Sequence, residues 1–194
     1  MSSCSIDDLL RCHPGDDPAV IEAIVTEYRA PVYRLACALL DDPAEADDAT
    51  QETFIAAALH IERYQPGTNF RAWLLTITAN ACKGRLRKRK VRRNLENLLS
   101  GLHLLQDPPP DPESAALHHE RGAQLWQAVG ELDEKYRLVL VLRLVQELPV
   151  SEIAQVLGIN EKTIYTRLYE ATRKLRRRLA VPQNANGAGQ ERIP

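Results

Sequence analysis

The sequence predicts an all-α protein made of two small helical domains joined by a proline-rich linker. Apolar residues recur at helical spacing through most of the chain, and no alternating strand pattern bounded by hairpin turn residues occurs. Four prolines between residues 107 and 112 interrupt the helical pattern. With 194 residues and 44% hydrophobic content, the chain can bury one medium core or two small ones.

Composition excludes several classes of function. No run of about 20 apolar residues is present, and the opening MSSCSIDDLL carries acids where a secretory signal carries bases, so we expect a cytoplasmic protein. The cysteines at 4, 12, 37 and 82 and the five histidines show no ligand spacing, which predicts no metal site. No phosphate-binding glycine loop or nucleophile motif occurs either. We therefore predict neither a cofactor nor catalytic activity.

Charge is distributed unevenly although the net charge is only −1. The first 62 residues hold thirteen acids and three bases, whereas KGRLRKRKVRR at 83–93 holds eight bases and no acid. TRKLRRRL at 172–179 forms a second basic block. Each block closes a predicted helix, and together they indicate two contacts with a polyanion.

After an N-terminal segment over 1–17, the first domain, 18–93, begins with a helix. Asp17 caps this helix, a proline follows in its first turn, and it runs to about Leu40. Pro31 is expected to kink or split it. One apolar stripe comprises Val20, Ile21, Ile24, Tyr28, Val32, Leu35 and Leu39.

The second helix runs from Asp42 to about Arg63. Asp42 is its N-cap, Pro43 takes the first helical position, and Glu45 takes the reciprocal capping position. Its buried side is predicted to comprise Phe54, Ala57, Ala58 and Ile61. A different face carries acids and one apolar residue: Asp47, Asp48, Gln51, Glu52 and Ile55. This acidic face fits either a protein-docking surface or an ordinary solvated helix face.

A turn over 64–69 separates the second helix from the third. Its Pro-Gly pair breaks the helix, and Thr68 or Asn69 can cap the helix that runs from Phe70 to about Arg93. The apolar stripe of that helix comprises Phe70, Trp73, Leu74, Ile77 and Ala81. Three helices thus make the first domain.

Residues 94–113 form the predicted linker. The prolines of this stretch favour an extended conformation. The leucines before them fit either a short amphipathic helix or direct docking on a neighbouring surface; they are Leu95, Leu98, Leu99, Leu102 and Leu105.

The second domain, 114–180, is predicted to hold four helices and to be followed by a disordered tail over 181–194. The helices are expected at about 114–130, 133–147, 150–157 and 161–179. The β-branched run 136–145 is long enough to favour a buried helix over a strand.

The last two helices of this domain form a predicted helix-turn-helix. Gly158 supplies the tight turn, Ile159 fills the gap, and Asn160 caps the second helix. The inner face of that helix comprises Ile164, Leu168, Ala171, Leu175 and Leu179. This motif indicates DNA binding, but it fits an independent dimeric repressor or activator as well as other regulators.

The exposed N-terminal end of the second helix would meet base edges in the major groove, and its basic C-terminal half would neutralise phosphates. The residues predicted for these contacts are Lys162, Thr163, Tyr165, Thr166, Arg167, Arg173, Lys174 and Arg176.

Two strings resemble one protein family. DDPAEADDATQETF, followed by a turn and FRAWLLTITAN, resembles region 2 of the extracytoplasmic-function (ECF) sigma factors of the sigma-70 family. EIAQVLGINEKTIYTRLYEATRKL resembles region 4 of the same group. Both matches occur in the family's order, and they cover most of the chain. The resemblance implies a factor that binds core RNA polymerase and directs it to promoters to initiate transcription.

The resemblance also implies partners and sites. The acidic face would dock on the clamp helices of the β′ subunit of core polymerase, with a further contact on the β flap, and an anti-sigma factor would hold the chain inactive. The second-domain residues named above would read the minus-thirty-five element. The minus-ten element would contact Tyr64, Asn69, Arg71, Trp73, Asn80, Lys83, Arg85, Arg87 and Lys88.

The chain departs from the family pattern at several positions. Ala49 and Thr50 replace a larger aliphatic pair, and Pro149 stands where a Ser or Thr cap is common. Tyr165, Glu170 and Thr172 stand where bases are common. These departures bear on the promoter sequence and not on the fold.

Overall fold

The computed structural model describes residues 6–12, 17–100 and 117–179, and only the backbone of 90, 92–100 and 117–123. All regular elements in these ranges are helical, which confirms the predicted all-α class. The helices are α1 (Ile6–Cys12), α2 (Pro18–Leu40), α3 (Pro43–His60), a 3₁₀ turn (Ile61–Arg63), α4 (Phe70–Ser100), α5 (Leu117–Gly130), α6 (Glu134–Leu144), α7 (Val150–Leu157) and α8 (Glu161–Leu179). We call α1–α4 the first module and α5–α8 the second module.

The predicted helix starts of the first module are confirmed. Asp17 Oδ1 accepts from the backbone N–H of Ala19 at 2.9 Å. Asp42 Oδ1 accepts from the N–H groups of Ala44 at 2.9 Å and Glu45 at 3.1 Å. The reciprocal cap predicted for Glu45 is wrong, because its carboxylate pairs with Arg89 at 3.0 Å instead. A cross-helix cation competes successfully with the local backbone for that side chain.

Pro31 does not split α2, which is continuous from Pro18 to Leu40. The residues after the proline, Val32 and Leu35, are fully buried. Their packing holds the helix together where the proline removes one backbone donor. The helix ends at Asp41, which adopts the left-handed conformation with φ 54°.

Two elements of the first module differ from expectation. Helix α1 lies within the segment 1–17, for which we predicted no helix. Helix α4 continues to Ser100 rather than ending near Arg93, so residues 94–100 extend it. Leu102, Leu105 and the prolines of the predicted linker lie outside the described residues, as does the predicted tail.

Helix α4 buries two faces. Phe70 and Leu74 of the predicted stripe are buried, and Trp73, Ile77 and Ala81 are half-buried. A second face is buried as well; it comprises Ala72, Leu75, Ala79 and Cys82. The sequence predicted only the first stripe; the second face belongs to a core cluster that includes residues of both modules.

One hydrophobic core spans both modules. Leu35 and Leu39 of α2 belong to the same buried cluster as Leu142 of α6, Ile153 of α7 and Ile164 of α8. A smaller cluster joins α1 to α2 and α4 through Ile6, Val20, Ile24, Phe70 and Leu74. The two modules therefore pack directly on one another.

The second module follows its predicted helices closely. The β-branched run is helical, as predicted, and residues 137–142 of α6 are buried. Burial on all sides explains why this helix shows no amphipathic pattern. Within the part of the chain that the structure describes, no helix is both long and apolar enough to cross a membrane.

Candidate functional site

The acidic face of α3 is exposed because the opposite side of the helix packs on the core. Ala46, Ala49 and Ala57 are buried, and the hydroxyls of Thr50 and Thr53 each donate to a backbone carbonyl four residues earlier at 2.7 Å. These small side chains bring α3 close to its neighbours. The predicted buried side is therefore only partly right, since Phe54 and Ala58 are half-buried.

Four of the five residues of the acidic face point to solvent. Asp48, Gln51 and Glu52 are exposed, and Ile55 is 62% exposed. Asp47 is half-buried and accepts a hydrogen bond from Gln51 at 3.3 Å. Ile55 is thus an apolar side chain held in water beside carboxylates.

The sequence prediction missed Leu59 as part of this surface. Leu59 is 68% exposed and lies four residues after Ile55, on the same helix face. The helical spacing from Ile55 could have identified it. Together Ile55 and Leu59 form an apolar ridge along the acidic face.

The turn over 64–69 is built around Tyr64. The Tyr64 ring is buried, and its hydroxyl donates to Asp7 Oδ1 at 2.7 Å. Burial and then this hydrogen bond raise the pKa of Tyr64. Gly67, with φ 94°, lies against the Arg11 guanidinium, so α1 holds the turn through two side chains. No local sequence signal identified Asp7 and Arg11, because α1 is only seven residues long.

A cleft next to this turn is lined by the aromatic rings of Tyr28 and Phe70, and Phe70 packs in turn on Tyr64. The centroids of Tyr64 and Phe70 lie 5.0 Å apart in an edge-to-face arrangement, and Tyr64 and Trp73 lie 5.5 Å apart. The cleft has a volume of about 590 Å³ and is lined by polar groups that include Asp7, Asn69 and Arg71. Asn69 Oδ1 accepts from the N–H of Ala72 at 2.9 Å, which confirms that residue as the cap of α4.

The structure divides the predicted minus-ten residues into separate groups. Tyr64 and Asn69 stabilise the turn, and Trp73 packs half-buried beside it. Asn80, Arg85 and Lys88 line a groove of about 550 Å³ between α3 and α4. The remaining three, Arg71, Lys83 and Arg87, lie toward the second module.

Salt bridges connect the basic and acidic surfaces. Arg85 pairs with Glu52, so the groove and the acidic face share an ion pair. Arg87 lies 3.8 Å from Glu134 of the second module. Burial lowers the pKa of Lys83; the charges of Arg87 and Arg167 act in the same direction, and Glu134 opposes them.

The helix-turn-helix has the predicted geometry. Gly158 adopts the left-handed conformation with φ 64°, and the N–H of Ile159 donates to the carbonyl of Ala154 at 3.1 Å. Asn160 Oδ1 accepts from the N–H of Thr163 at 2.8 Å and from its hydroxyl at 2.7 Å. The turn and the cap are thereby confirmed.

Helix α8 presents a polar outer face. Lys162, Tyr165 and Thr166 are exposed at its N-terminal end, whereas Thr163 and Arg167 are half-buried. In the C-terminal half, Arg173 pairs with Glu170 at 2.6 Å, and Lys174 lies 3.9 Å from Asp133. Arg176 is exposed. The inner-face prediction holds for Ile164, Ala171 and Leu175 but is wrong for Leu179, which is 49% exposed near the helix end.

A metal site does not form among the described residues: nowhere in them do three or more His, Cys, Asp or Glu side chains come together in a way that could hold an ion. Burial raises the pKa of Cys82 to about 12, so its thiol stays protonated.

The chain matches two family descriptions in succession. Residues 24–92 match "Sigma-70 region 2", and residues 122–175 match "Sigma-70, region 4". The ECF RNA polymerase sigma factor SigW of Bacillus subtilis is 32% identical over 171 residues, which cover 85% of this chain and 91% of SigW. The RNA polymerase sigma factor CnrH of Cupriavidus metallidurans is 34% identical over 138 residues, which cover 68% of this chain and 71% of CnrH.

Solved structures show the same fold. The sigma factor RpoE, solved with the anti-sigma factor NepR from Bartonella quintana, is similar with a TM-score of 0.61 at 21% identity. This likeness covers 84% of the present chain and 98% of RpoE.

Proposed function

Because this chain belongs to the ECF sigma factors of the sigma-70 family, which bind core RNA polymerase and direct it to promoters, we propose which of its surfaces carry those contacts. The acidic face of α3 docks on polymerase. The turn over 64–69 and α4 bind the minus-ten element, and α8 binds the minus-thirty-five element. The polymerase performs the chemistry, and the chain itself catalyses no reaction.

The exposed apolar ridge of α3 supports the polymerase contact best. Ile55 and Leu59 lie in water beside Asp48 and Glu52. Covering the ridge removes apolar surface from water, while the carboxylates select a partner that carries bases. In the proposal, this partner surface is the clamp helices of the β′ subunit, and the second module adds a contact on the β flap.

The aromatic cleft beside Tyr64 and the basic side chains of α4 support the minus-ten contact. Duplex opening requires capture of an unstacked base, and aromatic rings with nearby amide and guanidinium groups stabilise such a base. The cleft offers Asn69 and Arg71 for hydrogen bonds to a base edge. Lys88 at the adjoining groove is exposed and suited to the DNA backbone.

The exposed end of α8 supports the minus-thirty-five contact. Lys162 and Thr166 project from the N-terminal half of the helix that follows the tight turn. Tyr165, 60% exposed, adds a flat apolar surface that fits a thymine methyl group. Arg176 lies farther along the helix, where it fits a phosphate contact.

Regulation by an anti-sigma factor is part of the same proposal. RpoE, which shares this fold, was solved with such a partner. The chain would act in the cytoplasm, where its polymerase and promoter DNA are found.

A matched pair of charge reversals tests the docking face. Asp48→Lys places a base on the acidic face, and Glu22→Lys makes the same change at an exposed position of α2 off that face. We expect Asp48→Lys to weaken binding to core polymerase at least about tenfold, because a like-charge contact at an interface costs several kcal/mol. Glu22→Lys should leave binding unchanged.

Biolayer interferometry with purified core polymerase measures both affinities, and circular dichroism checks that each variant folds. Equal affinities for the two variants would remove α3 as the docking surface.

A further inference from the structure

Helix α1 brings a carboxylate to the cleft beside the turn over 64–69. Asp7 lines this cleft together with the rings of Tyr28 and Phe70. Its Oδ1 accepts from the Tyr64 hydroxyl at 2.7 Å. A carboxylate accepts up to about four hydrogen bonds, so the tyrosine uses only part of its capacity. Asp7 therefore keeps acceptor capacity for a molecule that enters the cleft.

Three anchors fix α1 in this position, although the helix has only seven residues. Ile6 is 4% exposed and belongs to the same buried cluster as Phe70. The Arg11 guanidinium lies against Gly67 of the turn. The hydrogen bond to the Tyr64 hydroxyl is the third anchor. Packing of the whole helix thus sets where the carboxylate lies.

Tyr28 gives the cleft an aromatic wall. Its ring lies 5.3 Å from that of Phe70, with the two planes tilted by 58°. Phe70 is only 5% exposed whereas Tyr28 is half-buried, so Tyr28 offers the accessible ring surface. Burial, and then a hydrogen bond to Glu27, raise the pKa of Tyr28 to about 12, so its hydroxyl stays neutral. A base that stacks on this ring brings its edge to the polar groups of the cleft.

The carboxylates of the cleft favour a base edge over a phosphate. The DNA backbone is anionic, so Asp7 and the exposed Glu27 repel it. Base edges are uncharged, and their amino groups donate hydrogen bonds to carboxylates. The cleft thereby differs from the adjoining groove between α3 and α4, where the cationic side chains of Arg85 and Lys88 suit phosphates.

Hydrogen-bond donors line the same cleft. Asn69 Oδ1 is occupied by the backbone N–H of Ala72 at 2.9 Å, which leaves the side-chain amide N–H groups to donate. The guanidinium of Arg71 lies at the cleft too, and it is a donor only. A base edge that combines an amino group with an acceptor therefore pairs with both kinds of group. Adenine, cytosine and guanine all have such an edge.

Thymine is the base that this arrangement disfavours. Its edge carries no amino group, and its single N3–H lies between two carbonyl oxygens. A carboxylate that accepts from this N–H also faces a carbonyl oxygen, and their like partial charges repel each other. Asp7 thus distinguishes thymine from the three bases that carry an exocyclic amine.

Given the proposed minus-ten surface, on which this inference rests, we propose that Asp7 of α1 is a specificity-determining residue of the minus-ten contact. It accepts a hydrogen bond from the exocyclic amine of the unstacked base and selects adenine, cytosine or guanine against thymine. The Tyr64 hydroxyl holds the carboxylate at the cleft. The short N-terminal helix is then part of the promoter-reading surface.

The first step of the test locates the unstacked base. Core polymerase loaded with the full chain is mixed with fork-junction probes of a promoter that this holoenzyme transcribes. 2-Aminopurine replaces each minus-ten base in turn, and its fluorescence rises where the base leaves the stack. We expect such a rise at one position, and a smaller rise there with Tyr28→Ala, because that change removes the stacking wall.

Four probes that differ only in the base at that position then measure selectivity. We expect the parent chain to bind the thymine probe at least about fivefold more weakly than the best of the other three. Asp7→Asn still accepts from Tyr64 and adds a donor for a thymine oxygen, so it should reduce this ratio to about twofold or less. Asp8→Asn makes the same change at an exposed neighbouring position and should leave the ratio unchanged.

The outcomes separate the role of Asp7 from the cleft itself. Circular dichroism checks that each variant folds. If one base unstacks but the parent binds thymine as tightly as the other bases, or Asp7→Asn keeps the preference of the parent, the role of Asp7 is wrong while the cleft stands. If no minus-ten base unstacks, the proposed cleft is wrong and the role of Asp7 falls with it.

Discussion

Arg137 offers the most direct measure of how strongly the two modules stabilise each other. Its guanidinium donates to the carbonyl of Leu39, one of the last carbonyls of α2, which has no partner within its own helix. Arg137→Met keeps most of the apolar stem and removes the donor. The variant therefore isolates the polar contribution of one side chain at the seam.

The magnitude follows from the contacts. A hydrogen bond from a charged donor contributes about 1.5–3 kcal/mol to stability. The contact with Asp41 adds about 0.5 kcal/mol at most, because it is 3.5 Å long and the Asp41 side chain is 44% exposed. We expect Arg137→Met to lower the free energy of unfolding by about 2–3 kcal/mol.

Arg143→Met is the matched control. Arg143 lies on the same helix and also donates to a carbonyl at 2.8 Å, but that carbonyl belongs to Leu148 in the same module and Arg143 is exposed. Its loss should cost less than about 1 kcal/mol.

Urea unfolding followed by circular dichroism measures both variants. With a slope of about 2 kcal/mol per M, the Arg137→Met midpoint should fall by about 1–1.5 M. The parent should unfold in one transition because its core is shared. A loss no larger than that of Arg143→Met, or two separate transitions in the parent, would refute the reasoning.

Two further predictions concern the helix-turn-helix and the cysteines. Asn160→Ala removes the cap of α8 and should lower the free energy of unfolding by about 1 kcal/mol, or Tm by roughly 2–4 °C. The control Gln155→Ala, at an exposed site of α7, should leave Tm unchanged. Calorimetry measures both Tm values, and equal values would show that the cap does not stabilise the protein. Cys82 is buried and its pKa is raised to about 12, so it should alkylate at pH 8 at least about 100-fold more slowly than the exposed Cys12. Mass spectrometry of the native chain measures both alkylation rates. Equal rates would contradict the burial of Cys82.

Much of the local structure could be predicted from residues close together in the chain. Asp17, Asp42, Asn69 and Asn160 all cap the helices expected of them, because a cap requires only a short polar side chain and backbone N–H groups two or three residues away. Glu45 failed as a reciprocal cap, since Arg89, forty-four residues away in the chain, competes for its carboxylate.

The candidate sites were partly predictable for the same reason. The acidic face of α3 follows from helical spacing, and its exposure agrees with that spacing. The minus-ten set was harder, since Tyr64 proved to be buried and bonded to Asp7, fifty-seven residues away. Sequence spacing predicts the helix face on which a side chain lies, but it does not predict the contacts of that side chain with residues far away in the chain.

The sequence by itself determined helices α2 to α8, the helix-turn-helix and the family, because these depend on periodicity and on motifs of adjacent residues. Only the tertiary structure decided that α4 buries a second face and that Arg71 bonds to Gln146, seventy-five residues away. Periodicity reports which side chains leave water, not which surface covers them. Contacts between residues so far apart arise only when the whole chain packs, and they decide here which side chains of the proposed DNA surfaces pair with protein groups.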